Sequence, residues 1–247
     1  VAAVGTIIAA LATGLVLSDL QRRRAVRAET LAELRLTETE KARDEAEAVT
    51  QFLRDTLASV DPGKQGKDVT VREVLDGTAE RISKKFSEKP LIQARLQGTV
   101  GWTYRGLGLY DKAEAHLADA AAIYHRELGE RDQRTLTAMN NLAVVLSDRG
   151  DYSAAETQQR ATLEPLRRLL GEEHPDTLGC MNNLAISLRS QGRYAEAEEL
   201  YRQTLTIRRR VQGEEHPSTL RSMNNLANSL NDQGRHAEAE ELHRKTL

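Results

Sequence analysis

One five-residue box, Met-Asn-Asn-Leu-Ala, recurs at a constant interval and constrains the fold of this chain more than any other feature. It occupies residues 139–143, 181–185 and 223–227, which is a period of 42 residues. Residues 177–205 and 219–247 are identical at 21 of 29 aligned positions, so the repetition extends well beyond the box. A period of this length is typical of a supersecondary unit that buries its apolar face only against its neighbours. The sequence therefore predicts a solenoid of stacked units.

Each unit contains two runs of apolar residues at helical spacing, separated by a glycine. In the third unit the first run is Leu178, Met181, Leu184, Ala185 and Leu188, and the second is Ala197, Leu200, Tyr201, Leu205 and Ile207. The glycine between them, Gly192, suits the left-handed residue that ends a helix. No segment alternates with the period of a strand, so the predicted fold class is all-α.

The sequence Gly-Glu-Glu-His-Pro joins one unit to the next at residues 171–175 and 213–217. Proline fits the first turn of the following helix, because the N–H that it lacks would have no partner there. His174 and His216 recur once per unit, so we interpret them as structural linker residues rather than as metal ligands. Pro165 falls inside the second helix of the second unit, where a kink is expected.

The repeated pattern resembles the tetratricopeptide repeat. The likeness rests on a large residue followed by a small one (Leu184-Ala185), on a Gly-x-Tyr turn (192–194), and on an alanine early in the second helix (Ala197). The 42-residue step, the Asn-Asn-Leu-Ala box and the Gly-Glu-Glu-His-Pro linker are similar to the variant found in kinesin light chains and in many bacterial proteins.

This resemblance covers residues 91–247 and implies a right-handed superhelix of antiparallel helix pairs. The implied units are about 91–132, 133–174, 175–216 and a truncated 217–247. The first unit departs from the pattern, because Gly98, Thr99, Val100 and Gly101 replace the Asn-Asn-Leu-Ala box. Such degeneracy suits a terminal capping repeat.

Residues 1–18 contain no charged side chain, and an uncharged run of this length lies at the lower edge of a membrane span. We favour a transmembrane helix, and a signal peptide or a buried helix of a globular domain are the alternatives. The four arginines within residues 22–27 match a stop-transfer flank and place the following chain in the cytoplasm by the positive-inside rule. The sequence thus predicts a single-pass membrane protein.

Residues 19–61 lack proline and glycine and are rich in alanine, glutamate, arginine and leucine, which favour helices. They predict a juxtamembrane helical stalk, with a weak coiled coil, and hence a homodimer, as an alternative. Pro62 and Gly63 end this segment. Residues 62–90 then predict a polar loop followed by an amphipathic helix.

The order of these parts resembles the C-terminal half of certain bacterial membrane serine/threonine protein kinases. The likeness rests on residues 47–53 (Glu-Ala-Val-Thr-Gln-Phe-Leu), 59–63 (Ser-Val-Asp-Pro-Gly) and 69–75 (Val-Thr-Val-Arg-Glu-Val-Leu). It implies a kinase domain upstream of Val1, in which case the repeats lie outside the cytoplasm, opposite to the side that the arginine flank predicts. The chain opens at Val1 rather than Met and stops within a predicted helix, so we expect a piece of a longer protein.

Composition and motifs argue against catalysis and against nucleic-acid binding. The net charge is −2, whereas nucleic-acid binders carry a basic excess. The lone cysteine, Cys180, aligns with Ala138 and Ser222, which favours close packing over a reactive thiol. The sequence contains no hydrolase, metalloprotease or dinucleotide-binding motif. We therefore predict no enzymatic activity, no cofactor and no metal for this chain.

Paired asparagines are the strongest candidates for a binding site. An asparagine inside a helix costs helix propensity, yet a pair stands beside each Leu-Ala. By the resemblance, the first helices of the units line a concave groove. The predicted peptide-binding residues are Asn140, Asn141, Asn182, Asn183, Asn224, Asn225, Arg189, Asn228 and Asn231. The alternative is that one asparagine of each pair bridges adjacent units, and we expect the second of each pair to face the ligand.

The function predicted from these features is binding. The groove would hold a protein or peptide segment, and Arg105, Arg189 and Arg221 suit a partly acidic one. Trp102 aligns with Val144 and is either a stacking residue for the ligand or filler in a degenerate unit. We predict a membrane-tethered protein–protein interaction scaffold. The alternative is the non-catalytic sensing or scaffolding region of a membrane serine/threonine kinase.

Overall fold

A computed structural model of the chain describes residues 22–54, apart from 34, 38, 41, 45 and 53, and residues 71–246. The chain divides into two compact parts, residues 1–64 and 65–247. Every described residue of the N-terminal part is helical. Within the described ranges, no helix combines the length and the apolar character that crossing a membrane requires. The predicted transmembrane helix, residues 1–18, lies outside these ranges.

The C-terminal part, residues 65–247, is all-α, as predicted, and its described residues contain no strand. Its helices are α1 (Val71–Lys85), α2 (Pro90–Gly106), α3 (Tyr110–Leu128), α4 (Gln133–Arg149), α5 (Tyr152–Leu170), α6 (Pro175–Ser190), α7 (Tyr194–Gln212), α8 (Pro217–Asp232) and α9 (His236–Arg244). Each helix packs mainly against the helices before and after it. From α2 onward the helices form pairs, α2/α3, α4/α5, α6/α7 and α8/α9, and we refer to these pairs as the first to the fourth repeat unit.

Local chemistry sets where these helices begin and end. The Nδ1 atoms of His174 and His216 each accept a hydrogen bond, at 3.2 Å, from the backbone N–H two residues further on. The two linker histidines therefore cap the N-termini of α6 and α8. The first helix of the second pair, α4, ends at Gly150, whose φ of 94° favours glycine. The second helix of that pair, α5, continues across Pro165 to Leu170.

Small residues stand where the two helices of a pair cross. The alanines Ala143, Ala185 and Ala227 in the first helices, and Ala113, Ala155, Ala197 and Ala239 in the second helices, are all fully buried. The first unit has Gly101 at the position of Ala143, and a Cβ there would lie 2.7 Å from Leu117 Cγ. The backbones of α2 and α3 thus approach more closely than an alanine would allow.

A charged cluster joins consecutive pairs near the turns between their helices. Glu198 in α7 accepts hydrogen bonds from Gln233 Nε2 at 2.9 Å and from Arg235 Nη1 at 2.7 Å. The same arrangement occurs one unit earlier at Glu156. Burial alone would raise the pKa of the Glu198 carboxyl, but these hydrogen bonds outweigh it and hold the pKa below the ordinary value. The cluster therefore favours the ionised carboxylate.

We expect Glu198 to make the stability of the repeats depend on pH. Its folded-state pKa lies below the ordinary 4.5, so its stabilising effect is complete above that value and is lost as the pH falls through the folded-state pKa. Glu198→Gln should lower the free energy of unfolding at neutral pH by about 1.5–3 kcal/mol and weaken the loss on acidification. Thermal unfolding followed by circular dichroism at a series of pH values measures both effects. Glu240→Gln, at an exposed position of α9, is the control and should change neither.

Gln159 in α5 is a second position where we expect a measurable change in stability. Its side chain is fully buried, and neither atom of its amide has a hydrogen-bond partner among the described residues. Leu117 stands at the aligned position of the first unit. Burying an unpaired amide costs about 1–3 kcal/mol, so Gln159→Leu should raise the free energy of unfolding by about that amount. Urea denaturation measures the difference.

The control for this substitution is Gln203→Leu, at an exposed position of α7. We expect it to leave the free energy of unfolding within about 0.5 kcal/mol of the wild-type value. A Gln159→Leu protein that is no more stable than the wild type would contradict the assignment of an unpaired, destabilising amide.

Candidate functional site

Asparagine side chains link successive units along one face of α4, α6 and α8. Asn183 Nδ2 donates to Asn140 Oδ1 at 3.3 Å, and Asn225 Nδ2 donates to Asn182 Oδ1 at 2.9 Å. The second asparagine of a pair thus bonds to the first asparagine of the preceding unit, and we call these four residues the amide ladder. Each amide has two donor N–H groups and two acceptor lone pairs. Each rung uses one donor and one lone pair. Asn140, Asn183 and Asn225 are half-buried and keep further groups that a ligand can reach, whereas Asn182 is buried.

The two ends of the amide ladder differ. Toward the C-terminus, Asn224 Oδ1 accepts a hydrogen bond from Thr246 Oγ1 at 2.9 Å and lies 3.2 Å from His243 Nδ1. Toward the N-terminus, the side chain of Asn141 has no hydrogen-bond partner among the described residues. The reason is that Gly98 occupies the place in α2 where the later units carry the first asparagine. The half-buried amide of Asn141 is therefore open.

The remaining predicted groove residues lie near the ends of α6 and α8. Arg189 Nε donates to Asp232 Oδ2 of the next unit at 2.5 Å, so its charge is already neutralised within the protein. Asn231 Oδ1 lies 3.2 Å from His236 Nδ1. Asn228 is half-buried and makes no side-chain hydrogen bond within the described ranges. Of these three, Asn228 is the one most open to a ligand.

A row of aligned side chains runs beside the ladder, three residues after the second asparagine of each pair. It consists of Trp102, Val144, Ile186 and Asn228. Trp102 is 41% exposed, and the guanidinium carbon of Arg105 lies 4.6 Å from the centroid of its ring. The row therefore changes from a large aromatic side chain at the first unit to an amide at the fourth.

An open pocket lies between the first and second units, and we call it the Trp102 pocket. Its volume is about 410 Å³, and its lining includes Gly98, Trp102, Leu117, Ala120, Ala138 and Asn141. Sequence reasoning missed this pocket. The sequence did contain a sign of it, because residues 98–101 replace the Asn-Asn-Leu-Ala box in the first unit. We interpreted that replacement only as the degeneracy of a capping unit.

The described residues offer little for metal or thiol chemistry. No group of three or more His, Cys, Asp or Glu side chains within the described ranges is arranged to hold a metal ion. Cys180 is fully buried, and burial raises the pKa of its thiol to about 12. The thiol is therefore protonated at neutral pH and unsuited to act as a nucleophile.

The chain matches two protein-family models, and both are described as tetratricopeptide repeat. One matches residues 94–134 and 135–176, and the other matches residues 159–210 and 177–247. Together these matches run without a gap from residue 94 to the end and span more than half of the chain. The chain belongs to the tetratricopeptide-repeat family. The resemblance inferred from the box, the turn and the linker is thereby confirmed.

Solved structures of similar fold include relatives of kinesin light chains. BtubC (BKLC) from P. vanneervenii aligns with a TM-score of 0.61 and 21% identity, over 82% of this chain and 87% of that one. A proposed kinesin light chain of Podosopora anserina, with nearly identical TPR-like repeats, aligns with a TM-score of 0.61 and 23% identity, over 83% of this chain and 92% of that one.

A Rap protein in complex with Competence and Sporulation Factor also aligns, with a TM-score of 0.59 and 19% identity. The alignment covers 70% of this chain and 47% of the Rap chain. At these identities the likeness shows the fold alone. A search of curated proteins finds no significant match.

We expect the two kinds of asparagine to differ in their effect on stability. Asn225→Ala removes the hydrogen bond to Asn182 and should lower the free energy of unfolding by about 0.5–1.5 kcal/mol. Asn141→Ala removes an amide that has no such bond and should change the free energy of unfolding by less than about 0.5 kcal/mol. Urea denaturation of the two variants measures this difference. Equal destabilisation by both would show that the ladder does not hold the units together.

Proposed function

We propose that the tetratricopeptide repeats form a protein-interaction scaffold that binds an extended peptide segment along the amide ladder. Tetratricopeptide repeats mediate protein–protein interactions, and stacked repeats present long surfaces suited to this role. The observation that carries the proposal is the ladder itself. Its amides repeat along one face, and each keeps a donor or an acceptor that the fold does not use.

The chemistry of the ladder suits the backbone of a peptide. An extended backbone presents alternating N–H and C=O groups, and a side-chain amide can donate to one and accept from the other. Recognition of the backbone tolerates many sequences, so side-chain contacts beside the ladder must supply the specificity. The structure of a Rap protein with Competence and Sporulation Factor supports a bound partner on this fold.

The arrangement of charges favours an acidic residue of the bound segment beside the first unit. Arg105 and Arg189 are paired with Asp148 and Asp232, so they contribute little free positive charge to the surface. Arg95, at the first unit, is exposed and has no carboxylate partner among the described residues. An acidic peptide residue beside Arg95 would gain a charge-assisted hydrogen bond.

We propose further that the scaffold is tethered to a membrane, which the uncharged run at residues 1–18 supports.

The motifs at residues 47–53, 59–63 and 69–75 favour a second role, as the non-catalytic region of a membrane serine/threonine kinase. Sequencing the gene upstream of the Val1 codon distinguishes the two. A long reading frame with kinase motifs supports the second role, whereas a start codon within about thirty residues supports a tethered adaptor.

Peptide binding can be tested with a library of random twelve-residue peptides selected against the full 247-residue chain. We expect peptides to be enriched and to bind the variant Asn141→Ala/Asn183→Ala/Asn225→Ala at least several-fold more weakly than the wild type. Fluorescence anisotropy of a labelled peptide measures the affinity. Gln203→Ala, which removes an exposed amide from the second helix α7, is the matched control and should bind normally.

The triple variant loses ladder bonds, so its folding is checked by thermal unfolding. If it does not fold, Asn141→Ala alone provides the test, because this residue makes no ladder bond. The proposal is wrong if no peptide is enriched, or if the folded amide variants bind as tightly as the wild type.

A further inference from the structure

A second open pocket lies within the second unit, and we call it the α5 pocket. It is formed by α4, α5 and the turn that joins α3 to α4, and its volume is about 590 Å³. Its apolar lining consists of Leu136, Met139, Ala161, Pro165 and Leu169. The α5 pocket shares no residue with the amide ladder or with the Trp102 pocket. It is therefore a separate surface from the proposed peptide site.

A small side chain on α5 keeps this pocket open. Ala161 stands where the third unit carries Gln203. Met181 of the third unit is fully buried, whereas Met139, at the aligned position of the second unit, is only partly buried. The second unit thus leaves apolar surface within reach of solvent at a place where the third unit covers it.

The charged residues around the α5 pocket are Glu130, Arg131 and Arg168, and none of them has an ion-pair partner in the described part of the chain. In the third unit the positions of Arg131 and Arg168 are occupied by Glu173 and Arg210, whose side chains pair at 2.9 Å. In the second unit an arginine replaces the glutamate, so this internal ion pair cannot form. The rim of the pocket therefore lacks a carboxylate partner for its arginines and offers, at Glu130, a carboxylate without a cation.

An exposed leucine lies at the edge of the same pocket. The side chain of Leu169 is 49% exposed, although it adjoins an apolar cavity. One patch thus carries an apolar side chain and an apolar pocket, together with unpaired charges of both signs. A two-fold interface brings the same patch of two molecules together, so every contact between two different residues occurs twice. A patch that pairs with itself must therefore carry both partners of each contact, as this one does.

We propose that the α5 pocket is the contact surface between two copies of this chain. In the dimer, Leu169 of each copy enters the α5 pocket of the other copy. Glu130 of each copy pairs with Arg131 and Arg168 of the other, which supplies the carboxylate that the second unit lacks. The proposal does not depend on peptide binding, and the dimer keeps two amide ladders free because the two surfaces share no residue.

Charge reversal tests the two-fold contact directly. Glu130→Arg makes the three charges of the rim all positive, and Arg131→Glu/Arg168→Glu makes them all negative. Sedimentation velocity of the full 247-residue chain, from about 1 to about 200 μM, should show a monomer–dimer equilibrium for the wild type. Each variant alone should self-associate about tenfold or more weakly, because like charges then meet across the two-fold axis. An equimolar mixture of the two variants should form a heterodimer, since opposite charges meet again.

Two further variants separate the contact from other effects of substitution. Glu215→Arg makes the same charge change at an exposed linker residue outside the α5 pocket, and it should leave self-association unchanged. Ala161→Gln installs the residue of the third unit and should weaken self-association several-fold by filling the pocket. Thermal unfolding at a concentration where every chain is monomeric should give the same midpoint for the wild type, Glu130→Arg and Glu215→Arg.

Three results would overturn the proposal. The first is a wild-type chain that remains monomeric at the highest concentration, and the second is a set of rim variants that dimerise as strongly as the wild type. The third is a mixture of the two oppositely charged variants in which no heterodimer forms. None of these results bears on the peptide-binding function, which the asparagine variants test separately.

Discussion

The close approach of paired helices at small residues is the constraint on which the rest of the structure depends. Buried alanines at the helix crossings allow the two backbones of each pair to come together, and at Gly101 even a methyl group would collide with Leu117. A single pair would leave its outer apolar face exposed, so each unit needs its neighbours. The stack therefore fixes the relative position of every first helix, and with it the surface that those helices share.

That fixed stacking gives the asparagines two roles at once. Successive first helices lie at the separation where one amide can donate to the next, as Asn183 does to Asn140. The hydrogen bonds compensate for placing amides at a half-buried face, since an unpaired buried amide is costly. Because each amide has more bonding groups than one rung uses, the half-buried residues Asn140, Asn183 and Asn225 also present polar groups to solvent. Bridging of adjacent units by the asparagine pairs is therefore compatible with the proposed binding of a peptide by the same pairs.

Loss of the pattern at the first unit changes the surface that the first helices share. In the first unit Gly98 stands where the later units carry the first asparagine, so Asn141 of the second unit finds no amide to bond with. The change removes a rung and opens an apolar pocket beside Trp102. Arg95 remains without a carboxylate partner in the described part of the chain. The surface therefore combines a repeated set of asparagine amides with one distinctive end at the first unit.

The sequence by itself determined the all-α class, the succession of helix pairs and the positions where α6 and α8 begin. It could do so because apolar spacing, turn glycines and linker prolines act over a few residues, and α6 and α8 begin at Pro175 and Pro217 as predicted. Only the tertiary structure decided which asparagine bridges which, since the Asn183–Asn140 bond joins residues 43 apart on two different helices. It also decided that Arg189 is neutralised by Asp232 and that Gly98 opens a pocket. These outcomes depend on the relative position of neighbouring helices. Packing between the helices fixes that position, whereas local sequence periodicity does not.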